Sequence, residues 1–295
     1  VASLLICPTK WSFTPYKIKV LEAALQKRSQ IVTKPINMKT LLFILSVALA
    51  PTSMLQAQNP LGKASVDFTY QMASSEGTNA SAVAWHPGLN LYFTGIAGNA
   101  DFPLEAFNPS GKNVYSAEAL ADIRGLWYNN ATGNLELNHA GEVGWSSISF
   151  NRNMTAHQTH TLHMGQYQPD FQSVGTYDAV EKKVAFLNAS TGSIDLYPYK
   201  KPGKVKSVAL RLSTCEIDDI NQTSVGYTGV KDFEYVLLNV VNHKLVFVNK
   251  AGTETAVTSL PEELVSYGAF KFSFANGRVF LYETETRTWT ALRVF

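Results

Sequence analysis

From about residue 60 onward the apolar positions alternate in short runs bounded by Gly, Asn and Pro, and no stretch keeps a 3.6-residue period over the length of a helix. This is the pattern of antiparallel strands joined by tight turns, with successive side chains on opposite faces. One unit is written five times: "SAVAWHPGLNLYF" from Ser81, "RGLWYNNATGNLEL" from Arg124, "SVGTYDAVEKKVAFL" from Ser173, "TSVGYTGVKDFEYVLL" from Thr223 and "GAFKFSFANGRVFL" from Gly268. Each copy passes from a small residue through an apolar stretch to an aromatic, turns, and begins a second apolar strand. The closing aromatics are Trp85, Tyr128, Tyr177, Tyr227 and Phe272, at intervals of 43, 49, 50 and 45 residues. In the third unit "GSIDLYPY" supplies a third strand and "KVKSVALRL" a fourth, ending at Leu212.

An all-strand repeat of this length resembles the blade of a β-propeller, whose period is about 40 to 50 residues. A ring of blades has to close, and the outer strand of the fifth unit would fall beyond Phe295. The segment "KASVDFTYQM", Lys63 to Met72, precedes the first unit and has nothing of its own to pair with. Placed as the outer strand of the last blade, it closes the ring. The expected fold is therefore all-β, a single five-bladed β-propeller over residues 63–295, with blades at about 79–120, 121–168, 169–216, 220–262 and 265–295 plus 63–72. "SAEALAD", Ser116 to Asp122, reads as a short helical connector between the first two blades.

The resemblance is to β-propellers as a class. Five-bladed members include sugar-cleaving enzymes of the arabinanase and invertase type and tachylectin-like carbohydrate-binding proteins, but no "WNDPNG"-like opening and no repeated WD or GH signature ties this chain to one of them. A transmembrane barrel fits less well. The terminal "TALRVF" puts Arg293 on the face that would meet lipid.

Composition changes the picture at the N-terminus. The 295 residues are 45% hydrophobic and 16% charged, enough apolar material for a globular core. From Met38 the chain reads "MKTLLFILSVALAPTSMLQAQNP": a basic Lys39, an apolar run from Leu41 to Ala50, and a polar stretch. This is the pattern of a secretory signal peptide over 38–57, too short in its apolar run to span a bilayer. Residues 1–37 read as sequence upstream of the true start or as a non-native extension. Residues 1–57 hold seven of the 25 basic side chains and one of the 23 acidic ones, leaving 18 against 22, a net charge of −4 in place of +2. The apparent basicity, and with it a nucleic-acid surface, disappears. Cys215 is then the one cysteine beyond the signal region, so packing rather than a disulfide has to hold an exported domain together. The expected location is periplasmic or extracellular, with no membrane span in the mature chain.

In a propeller the residues just before the inner strands converge at one mouth of the central channel. Counting back from the aromatics gives Asp122, Arg124 and Asn221, with Asp170 and Gln172 beside the third strand. These five are the candidate ligand-binding residues, for a carbohydrate, a peptide or a partner protein; the competing expectation is that they cap strands and link blades. Glycoside hydrolysis, the alternative function, needs two carboxylates about 5 to 9.5 Å apart, for which Asp122, Asp170 and Asp219 are the candidates. A purely structural scaffold is the third reading. No G-x-S-x-G elbow or phosphate loop occurs. His157, His160 and His163 of "HQTHTLH" fall on an outer strand, where 157 and 163 share a face and 160 points away, so no metal is expected, nor any cofactor. The recurring Trp and Tyr residues offer flat faces to a sugar, but their strand periodicity fits core packing between blades.

Overall fold

In the computed structural model the described residues are 61, 63–200 and 203–295; the expected signal segment and the segment before it lie outside them. Twenty strands there form five four-stranded antiparallel sheets. The first strand, β1 (Ser65–Gln71), stands apart from the sheet that follows it. Blade one is β2 (Asn79–His86), β3 (Leu91–Ala97), β4 (Pro103–Phe107) and β5 (Asn113–Glu118). Blade two is β6 (Ile123–Asn129), β7 (Asn134–His139), β8 (Trp145–Phe150) and β9 (His157–His163). Blade three is β10 (Thr176–Asp178), β11 (Lys183–Asn188), β12 (Ser193–Pro198) and β13 (Lys206–Ala209). Blade four is β14 (Gly226–Tyr227), β15 (Tyr235–Asn239), β16 (Lys244–Val248) and β17 (Glu254–Ser259). Blade five is β18 (Phe272–Ala275), β19 (Arg278–Glu283) and β20 (Thr288–Arg293), completed by β1.

The chain is a five-bladed β-propeller. Each blade is covered on both faces by its neighbours, which is why the second strands are buried along nearly their whole length rather than on alternate residues; β3 and β15 are buried throughout. The core is correspondingly divided into five apolar clusters, one per interface between adjacent blades. Phe93, Leu104, Leu126 and Leu137 join blades one and two. Trp127, Trp145, Tyr177 and Phe186 join two and three, and Tyr70, Tyr92, Phe107 and Trp289 join five and one. Turn chemistry follows the sequence: Asn276 and Gly277, at φ 49° and 73°, make the two-residue turn between β18 and β19.

Closure works as the unpaired N-terminal strand implies. β1 runs antiparallel to β20, from Ser65 opposite Arg293 to Gln71 opposite Thr288. Asp67 on β1 accepts from Arg278 at 2.7 Å and from Arg293 at 2.5 Å. The chain leaving β1 is fastened to blade one, because the buried Glu105 carboxylate accepts the backbone N–H groups of Ala73 and Ser74. Arg287 donates to the carbonyls of Ser74, Glu76 and Gly77.

Two local expectations are corrected. The first part of "SAEALAD" is not helical: Ser116 to Glu118 belong to β5, paired with β4, and the chain then turns through Leu120 at φ 59°. The Ala and Glu residues favour a helix locally, but pairing against β4 and burial of Ala119 and Ala121 outweigh that preference. The outer strand of blade two carries a bulge, the register jumping between Trp145 and Ser146 opposite His163 and Thr161. One extra residue reverses the side of everything beyond it. His157 therefore meets blade one, through the Tyr115 hydroxyl at 2.6 Å and the Ala119 carbonyl, while His163 meets the Tyr199 carbonyl of blade three at 2.6 Å. They do not share a face. No helix among the described residues is long and apolar enough to cross a membrane.

Candidate functional site

The inner strands β2, β6, β10, β14 and β18 line the central channel, and small residues let them approach. A Cβ on Gly125 would lie 2.3 Å from the backbone nitrogen of Gly175, and one on Gly226 2.6 Å from Cβ of Phe274. Ser273 Oγ bonds both the N–H and the carbonyl of Val83 across the junction of blades five and one. We call the face where these strands begin proximal and the face where they end distal.

On the proximal face the sequence-derived residues do not form one pocket. Asp122 accepts from Arg124 at 3.0 Å and from the Gly98 N–H at 2.7 Å, so it links blades one and two. The Arg124 guanidinium is largely buried, sits 5.6 Å from the centre of the Phe270 ring, and leaves its Nε–H without a partner. Burial pushes Arg124 below its usual range, opposed by the charge of Asp122. Asn221 is fully buried; its amide donates to the carbonyls of Tyr267 and Phe270 and its oxygen accepts the N–H groups of Thr223 and Ser224. Asp219 closes a single 3-10 turn by accepting the Glu216 N–H. Asp170 and Gln172 are brought together. With Ser173, Gln222 and Thr223 they line a groove of about 310 Å³ between blades three and four, where Asp170 also accepts the Gln172 N–H.

The cavity to which all five blades contribute opens on the distal face, and none of Asp122, Arg124, Asp170, Gln172 and Asn221 lines it. Its volume is about 300 Å³. Seven aromatic residues line it, Trp85, Trp127, Tyr128, Tyr177, Tyr227, Phe272 and Phe274, at least one from each inner strand, and Thr176, Thr228 and Asn276 supply hydroxyl and amide groups. No Asp, Glu, Lys or Arg lines it. The five aromatics that close the sequence repeat are all among these seven; in blade five Phe272 opens β18 and is fully buried, and Phe274 beside it is the more exposed ring. The repeat therefore places aromatics at this cavity as well as in the packing between blades. Packing is also observed: Trp85 lies 4.5 Å from Tyr92 and Tyr128 4.9 Å from His86, centre to centre. The Tyr177 hydroxyl is buried with no hydrogen-bond partner, and burial raises its pKa with help from Glu136 and Asp178.

Buried carboxylates behind these rings are fully engaged. Glu136 accepts from Trp127 Nε1, Asn129 Nδ2, Thr132 Oγ1 and Tyr199 Oη at 2.7 to 3.1 Å, and Asp178 accepts from Tyr235 Oη and the N–H groups of Val180 and Glu181. His139 bonds Ser146 Oγ at 2.7 Å within blade two, with burial lowering its pKa against the charge of Asp122.

No protein-family model and no curated protein sequence matches the chain. Solved structures resemble it in fold. A streptogramin B lyase aligns over 79% of this chain and 98% of its own, at 9% identity and a TM-score of 0.45. A nidogen/laminin complex aligns over 63% of this chain and 65% of its own, at 12% identity and 0.41. An auxiliary nutrient binding protein from Bacteroides thetaiotaomicron aligns over 75% and 60%, at 10% identity and 0.39. At these identities the likeness extends to the arrangement of strands and no further.

Proposed function

We propose that the protein is an exported carbohydrate-binding module that takes a neutral sugar unit in the distal channel cavity. The observation that carries this reading is the cavity's lining: aromatic residues from every blade, with hydroxyl and amide groups between them and no charged side chain. Aromatic faces cover the apolar face of a sugar ring while a few placed polar groups bond its hydroxyls. At about 300 Å³ the cavity lies at the lower end of ligand pockets, which span roughly 300 to 1,000 Å³, and so suits a chain end or single ring rather than a folded partner. Export rests on the signal-like pattern at 38–57.

Hydrolysis is not part of the proposal. It needs two carboxylates flanking the scissile bond. The distal lining holds none, and the proximal groove holds Asp170 alone. That groove is the second reading, favoured by its volume of about 310 Å³ and by the convergence of Asp170, Gln172 and Gln222.

Calorimetric titration with a panel of neutral oligosaccharides separates the two. Trp85→Ala is expected to weaken binding about tenfold, the scale of one lost aromatic contact, while Asp170→Ala leaves it unchanged. The opposite pattern moves the site to the proximal groove. Absence of binding across the panel, with the wild-type protein folded by circular dichroism, overturns the carbohydrate reading.

A further inference from the structure

A second cavity, of about 400 Å³, lies on the same distal face between blades two and three. Its walls come from three turns and the strand ends beside them: Ala131 and Thr132 after β6, Lys182 and Lys183 at the start of β11, and Pro198 to Lys200 at the end of β12. Three of its lining residues are lysines and none is acidic. Lys183 shares Glu181 with Lys250, at 3.6 Å each, whereas Lys182 and Lys200 are exposed and have no ion-pair partner among the described residues. Pro198 and Tyr199 provide an apolar floor. The nearest buried carboxylate, Glu136, is fully covered and saturated by donors that include Tyr199 and Thr132, so it holds the floor in place and does not enter the lining.

Tyr177 belongs to both cavities. It is the wall between the channel mouth and the lysine cradle, it is 6% exposed, and its hydroxyl has no partner. The hydroxyl itself is buried, so it is the edge of the Tyr177 ring that a ligand crossing between the two cavities would meet. The two cavities also differ in a complementary way, since the first is lined without charge and the second with unpaired positive charge.

We propose that the ligand is an acidic oligosaccharide, bound with a neutral unit in the channel and a carboxylate- or sulfate-bearing unit on Lys182 and Lys200, the chain crossing Tyr177 between them. This rests on the carbohydrate reading of the channel and adds the chemical class of the sugar. An acidic sugar unit matches the cradle on both counts, because its ring face covers Pro198 and Tyr199 while its anionic group meets ammonium groups at the rim.

The test uses the whole domain and defined probes: hexasaccharides containing galacturonate or glucuronate, the same hexasaccharides with their carboxyl groups reduced to alcohols, a sulfated neutral hexasaccharide, and poly-glutamate. Wild-type protein is expected to prefer the uronate forms over the reduced forms by about tenfold at low salt, since each exposed charge pair contributes up to about fivefold. Lys182→Ala with Lys200→Ala removes that preference while leaving affinity for the reduced forms unchanged, and 0.5 M NaCl reproduces the loss. Both lysines are exposed, so circular dichroism of the double variant should match the wild type. Equal binding of acid and reduced forms overturns the cradle but leaves the channel reading intact. Acid binding that survives Trp85→Ala and depends on the lysines keeps the cradle and overturns the channel reading. Preference for the sulfated probe over uronate identifies the anionic group as sulfate; poly-glutamate binding as tightly as the uronates overturns the glycan assignment.

Discussion

Replacing Asp67 by Asn tests whether the ring is locked by charge at its seam. Asp67 lies on the strand that completes blade five, and its side chain is 11% exposed between Arg278, 27% exposed, and Arg293, 63% exposed. Arg293 is largely in solvent, so its pair falls at the weak end of the 0.2 to 1 kcal/mol typical of surface ion pairs, and Arg278 nearer the strong end. Asn retains an acceptor but no charge. The loss expected at neutral pH is about 1 kcal/mol, which lowers the melting temperature by roughly 2 to 4 °C for a domain of this size. The pH dependence has a defined sign. Burial pushes the Asp67 carboxyl up, but the hydrogen bonds and charges of Arg293 and Arg278 outweigh burial and hold it below its ordinary range. A carboxyl whose folded pKa is depressed contributes its full stability above the unfolded value, about 3.9, and loses it as pH falls through the folded value. The gap between wild type and Asp67→Asn should therefore stay constant from pH 8 to about 5 and shrink below about pH 4. Thermal melts of both proteins at matched salt across that range measure it, and 1 M NaCl should narrow the gap at pH 7. A gap that persists undiminished at pH 2.5, or that ignores salt, would show the substitution acting through packing and would refute the charge lock.

Three further substitutions probe the inner strands and the segments flanking them. Gly125→Ala forces a methyl group to within 2.3 Å of both the Gly175 nitrogen and the Asn138 side-chain oxygen, so urea denaturation should show a loss of about 3 kcal/mol or more, or no folded protein. Gly133→Ala, in a turn at φ 74° with nothing within 4 Å of the added atom, should cost only about 1 kcal/mol by the same assay. Asn221→Ala leaves the buried carbonyls of Tyr267 and Phe270 and two backbone N–H groups unpaired, an expected cost of roughly 3 kcal/mol in denaturant midpoint analysis. A near-neutral Asn221→Ala would mean that blades four and five do not depend on this latch.

The parts of the fold legible in the sequence are those that repeat. Strand alternation, Gly and Asn turns and the spacing of Trp85, Tyr128, Tyr177 and Tyr227 define the blades, and counting strands in the fifth unit shows that one must come from elsewhere. Single-residue events were not legible. The bulge opposite Trp145 leaves no mark in composition, yet it sends His157 and His163 to opposite neighbours. Phe272 resembles the other closing aromatics in its setting, but it begins its strand whereas Trp85 nearly ends one, so counting back from it lands in the preceding loop. "SAEALAD" failed for a different reason: local helix preference is worth tenths of a kcal/mol per residue, and an outer strand that completes a sheet outweighs it.

The aromatic repeat reports only part of what an inner-strand residue does. A residue on an inner strand has two environments at once, because its ring packs between blades at its base and borders the channel at its edge. Trp85 shows both, packed at a tilt against Tyr92 of its own blade and lining the cavity. Periodicity reports the first environment, since every blade must pack, and is silent on the second, which depends on how far the five strands stand apart where they end. That separation is set by Gly125, Gly175 and Gly226, whose missing side chains draw the strands together at one level. The same aromatic repeat that builds the interfaces thus lines the mouth, and the charge that distinguishes the neighbouring cradle comes from turn residues, Lys182 and Lys200, that no strand pattern constrains.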